Sequence, residues 1–193
     1  MSTSPRYTLD PALPADADLL ARLHSDSWRH AYAGLIPLTY LESHAPAERL
    51  ATWRARMHDG AEAPIEVTIL RIDGEPAGFC CLMPLAEPGY GIYVDNLHVM
   101  PAYHGGGYGK LLMAHCVRRV IERWPGKPLF LYVLDGNTQA RAFYRALGGE
   151  EAPAFDDPFP GTDLMVSVRR VTWQDPEALL ARLLSSSKGR ARG

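Results

Sequence analysis

The sequence predicts an α/β domain, and three observations carry that prediction. First, strand-like and helix-like stretches interleave along most of the chain. Second, an aromatic and β-branched run from Tyr90 to Val99 passes through a glycine-rich turn into a periodic segment. There the apolar residues fall at 112, 113, 116, 117, 120, 121 and 124, and polar residues fill 110, 115, 118, 119, 122 and 123. That period matches the roughly 3.6 residues per turn of an amphipathic helix. Third, Pro128 to Leu134 is apolar without alternation, as expected of a strand buried on both faces.

The remaining elements follow in order. Arg6 to Asp10 reads as a short opening strand. Leu13-Pro14-Ala15-Asp16 starts a helix, with Pro and Asp in its first turn and an apolar stripe of Leu19, Leu20, Leu23 and Trp28. Gly34 ends it, and a short helix through Tyr40 and Leu41 reopens at Pro37. Another helix runs from Pro46 to His58, with Leu50, Trp53 and Met57 on one side. Ile65 to Ile72 and Glu75 to Pro84 form two strands joined by the hairpin signal Asp73-Gly74, with Gly78 weakening the second or marking a bulge. Asp135-Gly136-Asn137 leads into a helix with Ala140, Phe143 and Leu147 inward, closed by Gly148-Gly149. Two last strands are expected near Glu150 to Phe155 and Leu164 to Val171. The expected organisation is one domain over residues 1–172, then 173–193 as a C-terminal helix (175–184) and a disordered basic tail from Ser185.

Composition narrows the function. A net charge of −2 gives no reason to expect nucleic acid or an anionic membrane as partner. No apolar run is long enough for a transmembrane helix, and Met-Ser-Thr-Ser-Pro-Arg lacks the apolar core of a signal peptide. Three cysteines, Cys80, Cys81 and Cys116, show no regular spacing, which argues for reduced thiols and a cytoplasmic setting. His98, His104 and His115 lack ligand spacing and Cys partners, so no metal is expected.

The chemistry concentrates in Leu97 to Lys110. The first N–H groups of a helix have no partner within it, and the aligned peptide dipoles place about half a positive charge there. Glycines let the backbone approach an anion, so a glycine-rich turn opening a helix is a cradle for phosphate or diphosphate. Spacing excludes two common versions. Leu111 replaces the hydroxyl of a Walker loop and His104 its leading Gly, which removes a nucleotide hydrolase. A dinucleotide fingerprint begun at Gly105 meets Lys110 where its last glycine belongs.

His104-Gly105-Gly106-Gly107-Tyr108-Gly109 resembles the Gln/Arg-x-x-Gly-x-Gly/Ala turn of the GCN5-related N-acetyltransferase (GNAT) superfamily, with His104 in place of Gln or Arg. Asn137-Thr138-Gln139-Ala140-Arg141-Ala142-Phe143-Tyr144-Arg145-Ala146-Leu147-Gly148-Gly149 resembles that family's Asn-x-x-Ala-x-x-Phe-Tyr-x-x-x-Gly-Phe segment, with Gly149 in place of the last Phe. The two signatures cover Tyr93 to Gly149, and the order of strands and helices extends the likeness over residues 5–171.

The resemblance implies a mixed, mostly antiparallel central sheet flanked by helices. It also implies acetyl-CoA as co-substrate and direct attack of an amine on the acetyl carbonyl, with no covalent enzyme intermediate. His104, Gly105, Gly106, Gly107, Tyr108, Gly109 and Lys110 would grip the diphosphate. Asn137 would lie near the pantetheine arm, which would enter where the strands on either side of the phosphate helix splay apart. A backbone donor near Leu97, His98 or Val99 would stabilise the charge on the carbonyl oxygen. Tyr144 would protonate the leaving thiolate. Residues 93, 95, 97 and 99 share one strand face if no bulge intervenes. Counting back from the turn, Tyr93 and Asp95 match positions where relatives in the family place a catalytic carboxylate or imidazole, so the resemblance implies Asp95 as the base, acting through water, with Tyr93 beside the acceptor. The His98 side chain would face the other way, as a core histidine. Trp28, Tyr32 and Tyr40 would line one acceptor wall, with Phe155-Asp156-Asp157-Pro158-Phe159 as a loop opposite, a setting suited to a cationic amine. The expected partner is a small-molecule or peptide amine, with a homodimer left open. A CoA-binding sensor or interaction module without catalysis is the alternative that the His104 departure leaves standing.

Overall fold

A computed structural model describes residues 5–58 and 64–188. Its elements are β1 (Tyr7–Pro11), α1 (Ala17–Ala31), α2 (Leu38–Ser43), α3 (Ala45–Met57), β2 (Glu66–Ile72), β3 (Glu75–Met83), β4 (Ile92–Val99), α4 (Tyr108–Arg123), β5 (Leu129–Leu134), α5 (Thr138–Ala146), β6 (Glu150–Glu151), β7 (Phe155–Pro158), β8 (Met165–Trp173) and α6 (Pro176–Lys188). The strands bond in the order β1-β2-β3-β4-β5-β8-β6, with β7 pairing β8. Pairing is antiparallel for β1 with β2, β2 with β3, and β8 with each of β5, β6 and β7; β4 with β5 is parallel. This is the mixed, mostly antiparallel sheet flanked by helices that the resemblance implied.

The described chain divides into two compact units. One takes in the chain through Met83 together with Asn96–Leu112, and the other Pro84–Asp95 together with the chain from Met113, so β4 and α4 each belong to both.

In the first unit, Asp73 (φ 51°) and Gly74 (φ 88°) are both left-handed. That is the turn whose twist matches a two-residue hairpin, as the Asp-Gly pair predicted. The β2–β3 register shifts between Leu70 and Arg71, because Leu70 pairs with Gly78 but Arg71 with Pro76. The irregularity therefore lies beside Gly78. A Cβ there would come within 2.4 Å of the His98 carbonyl oxygen, so the missing side chain lets the end of β4 lie close against β3. Leu20, Leu23, Trp53, Val67, Ile69 and Phe79 form the buried core between the α1–α3 pair and the sheet. Each such side chain contributes roughly 1.5–3 kcal/mol on burial.

In the second unit, β5 is buried at every residue except Tyr132, which is half-buried. It pairs with β8 from Leu129↔Trp173 to Leu134↔Val168. On its other edge, pairing with β4 is confined to Ile92↔Leu129 and Tyr93↔Phe130. The strand expected near Glu150 to Phe155 is instead two, β6 and β7. Pro153 lies between them and has no N–H to give a ladder. Phe155 to Pro158, read from sequence as loop, is strand, and Phe159 is buried. The helix expected over 175–184 runs on to Lys188; the rest of the tail, 189–193, lies outside the described residues.

Gly149 is explained by its neighbours. A Cβ there would lie 2.5 Å from Val171 Cγ1 and 2.8 Å from Trp173 Cζ2. The Trp173 indole fills the space a residue-149 side chain would take, and its Nε1–H donates to the Leu147 carbonyl oxygen at 3.2 Å.

Candidate functional site

The turn after β4 is built by local geometry. Pro101–Tyr103 makes one 3-10 turn, and the Leu111 N–H donates to the Gly107 carbonyl oxygen at 3.1 Å. Gly107 therefore caps α4, and Tyr108, Gly109 and Lys110 supply its first N–H groups. Gly105 (φ 78°) and Gly107 (φ 87°) take left-handed conformations that an L side chain resists. His104, Gly105, Gly106 and Gly107 are exposed, and Tyr108, Gly109 and Lys110 are half-buried. The result is an open backbone turn at the N-terminus of a 16-residue helix, a fitting site for a diphosphate. The His104 ring folds back, its Nε2 donating to the Val99 carbonyl oxygen at 2.8 Å, with the His30 ring edge-on at 5.5 Å between centroids.

Along β4, Ile92, Val94 and Asn96 are buried, while Tyr93, Asp95, Leu97 and Val99 are half-buried. The His98 side chain joins a polar cluster inside the first unit. Its Nδ1 lies 2.7 Å from Ser27 Oγ, and its ring 5.2 Å from Phe79 and 5.1 Å from His24. His24 is buried and accepts a hydrogen bond from Trp53 Nε1–H on Nδ1 at 3.1 Å, which fixes its neutral tautomer as Nε2–H. Although His98 as a residue is half-buried, its ring is surrounded by protein, and burial lowers its pKa to about 4. Burial likewise holds His24 well below the ordinary imidazole value, reinforced by the neighbouring charge of His98 and Arg49. Ser27 and His24 were not foreseen. They sit 71 and 74 residues from His98, and their only local signal is a polar residue interrupting the apolar stripe of α1.

A pH dependence follows with a definite sign. The unfolded chain takes up protons on these two imidazoles below about pH 6.5, whereas the folded chain resists doing so. Stability is therefore complete above that pH and is lost as pH falls toward about 4 for His98. Each histidine contributes a slope of at most about 1.4 kcal/mol per pH unit in that window. Urea midpoints measured across it should fall steadily, and His98→Asn should flatten the slope; an unchanged slope would refute the assignment to His98.

Trp28 and Tyr32 come together, with ring centroids 5.7 Å apart. Trp28 is buried, flanked by His24 at 4.5 Å and by the Arg49 guanidinium 4.5 Å over its face. The Tyr40 hydroxyl donates to Glu48 Oε2 at 2.6 Å.

In the second unit, Asn137 caps α5, its Oδ1 accepting from the Ala140 N–H at 3.1 Å. Tyr144 is buried, its ring edge-on to Trp173 at 5.8 Å. Arg141 fastens α5 to the strands by bonding Asp135 and Glu151, both at 2.8 Å. Arg169, hydrogen-bonded to Asp135, and then Arg141 hold the Asp135 carboxyl below its usual range, and Arg141 does the same for Glu151. Tyr93 stacks on Phe130 at 5.2 Å and meets the edge of Tyr132 at 5.7 Å. The Tyr132 hydroxyl donates to Glu87 at 2.8 Å; burial, then that bond, push its pKa up to about 12. Arg170 lies 3.7 Å over Tyr90, and Phe155 is exposed. Glu87, Tyr132 and Arg170 escaped sequence reasoning, because only the β5–β8 register brings Tyr132 opposite Arg170. No described helix is long and apolar enough to cross a membrane.

The chain is similar to known N-acetyltransferases in sequence and in fold. The uncharacterized N-acetyltransferase YuaI of Bacillus subtilis (strain 168) is 24% identical over 174 residues, covering 89% of this chain and 95% of its own. The thialysine N-epsilon-acetyltransferase of Bos taurus is 30% identical over 96 residues, covering 43% of this chain and 52% of its own. In fold, the chain is similar to the crystal structure of the PaiA N-acetyltransferase of Thermoplasma acidophilum in complex with coenzyme A, at a TM-score of 0.66 and 18% identity, over 87% of this chain and 99% of that one. The sequence pattern of the Acetyltransferase (GNAT) family matches residues 20–148, a span that includes both the glycine turn and the Asn137 helix, and the chain belongs to that family.

Proposed function

We propose that this protein transfers an acetyl group from acetyl-CoA to a primary amine within a ternary complex. The observation that carries the proposal is the exposed turn Gly105 to Lys110 opening α4, with left-handed glycines at 105 and 107. Its backbone amides and Lys110 hold the diphosphate; Asn137 lies along the pantetheine arm. The ending of β4–β5 pairing after Tyr93 supports a strand edge at Val94 that can take a further hydrogen-bonded partner.

In the reaction, the amine nitrogen attacks the acetyl carbonyl carbon and the C–S bond breaks. A backbone N–H among Leu97, His98 and Val99 stabilises the charge on the carbonyl oxygen. The thiolate takes a proton from the Tyr144 hydroxyl, and the amine gives one through water to Asp95. Tyr93, Trp28 and Tyr32 serve the acceptor, a small-molecule or peptide amine. The bovine relative's name specifies thialysine, which supports including lysine-like amines among the acceptors. Buried free thiols at Cys80, Cys81 and Cys116 support a cytoplasmic setting.

The test is release of free CoA thiol from acetyl-CoA with a panel of lysine analogues, polyamines, arylalkylamines and peptide N-termini. Amine-dependent release supports the proposal. Saturable CoA binding with no release on any amine would replace it with a CoA-binding module.

A further inference from the structure

The His104 side chain carries an inference that rests on the diphosphate reading of the turn and goes beyond it. Its Nε2 bonds the Val99 carbonyl oxygen at 2.8 Å. A carbonyl oxygen only accepts, so Nε2 keeps its proton whether the ring is neutral or charged. The proton that comes and goes is therefore the one on Nδ1. When the ring is neutral, Nδ1 is a lone pair, which repels an anion. When it is charged, Nδ1 is an N–H donor bearing a positive charge.

The surroundings make that difference felt by a ligand. The ring is exposed at the head of the turn, one residue before the left-handed Gly105. Beside it stands His30 of α1, exposed and edge-on at 5.5 Å, and Arg29, next to His30 in the chain, is paired with Asp26 at 3.2 Å. Tyr103 precedes it in the chain, and Tyr108 and Lys110 of α4 follow it at the positive end of that helix's dipole.

We propose that His104, with His30 beside it, is a proton-coupled clasp on the cofactor diphosphate, gripping it as imidazolium and repelling it as imidazole. Arg at this position would hold the anion at any physiological pH, and Gln would present an uncharged amide. A histidine instead makes the grip depend on whether the ring carries its second proton. An anion in contact with an imidazolium favours the protonated ring by a factor of about ten or more.

The test is calorimetric titration with dephospho-CoA, which carries the diphosphate but lacks the titratable 3′-phosphate. Binding is measured near neutral pH in buffers of different ionisation enthalpy, and affinity at about pH 5.5 and about pH 8, on either side of the imidazole range. Expected are net proton uptake and affinity roughly tenfold tighter at the lower pH. His104→Gln should bind with the same affinity at both values, and His104→Arg tightly at both. His30→Gln should reduce the uptake without abolishing it. Equal affinity at the two values, or a pH dependence that persists in His104→Gln, would overturn the clasp, while loss of binding in Gly107→Val would still support the cradle. If neither dephospho-CoA nor CoA binds the wild-type protein, the diphosphate reading fails and the clasp with it.

Discussion

Replacing Gly107 with Val is expected to weaken acetyl-CoA binding by about two orders of magnitude or more. The native residue has φ 87°, a conformation costing an L residue about 1–2 kcal/mol, and more when it is β-branched. The chain relieves that strain by turning the peptide, which re-aims the amides of Tyr108 and Gly109. A charge-assisted hydrogen bond contributes about 1.5–3 kcal/mol, so losing two exceeds the roughly 2.7 kcal/mol that corresponds to a hundredfold. Gly107→Asn is the control, because Asn tolerates the left-handed region and should keep more of the affinity. Calorimetric affinities, alongside thermal melts to show folding, decide the matter; undiminished affinity in a folded Gly107→Val protein would remove the diphosphate from this turn.

Tyr144→Phe is expected to lower kcat by about 10²-fold or more, within the range for loss of a general acid, with the KM for acetyl-CoA nearly unchanged. The phenyl ring preserves the edge-on contact with Trp173 at 5.8 Å, so the variant should remain folded. Losing one hydroxyl hydrogen bond typically costs about 0.5–1.5 kcal/mol of stability. Steady-state kinetics separate the chemical role from a packing one: loss of the acid should lower kcat while the KM for acetyl-CoA holds, whereas a packing defect should move both. Wild-type turnover in Tyr144→Phe would take the residue out of the mechanism.

What could be read from the chain was local. The step from strand to glycine turn to helix at Val99–Tyr108 rests on contiguous residues with opposed backbone preferences, and so does the Asn137 cap. The Asp73-Gly74 hairpin was legible for the same reason: both residues tolerate positive φ. Partners far apart in sequence were not legible. Nothing near His98 signals Ser27, and nothing near Tyr132 signals Glu87, 45 residues earlier. The split of β6 from β7 was missed although Pro153 was in view, because a lone proline also fits an edge strand. His104 was legible as a departure from the family's turn, yet its bond to the Val99 carbonyl depends on how the turn closes.

The meeting of Gly149 with Trp173 has a bearing on descent. The two positions are one volume with two owners: whichever residue brings the ring, the other must bring almost nothing. A side chain added at 149 alone collides with Val171 and Trp173, and trimming Trp173 alone leaves a cavity, so lineages should change the two positions in pairs, and an aromatic at 149 should travel with a small residue at 173. Such a swap would also strip the Leu147 carbonyl of its indole donor, leaving the end of α5 to find another partner or water.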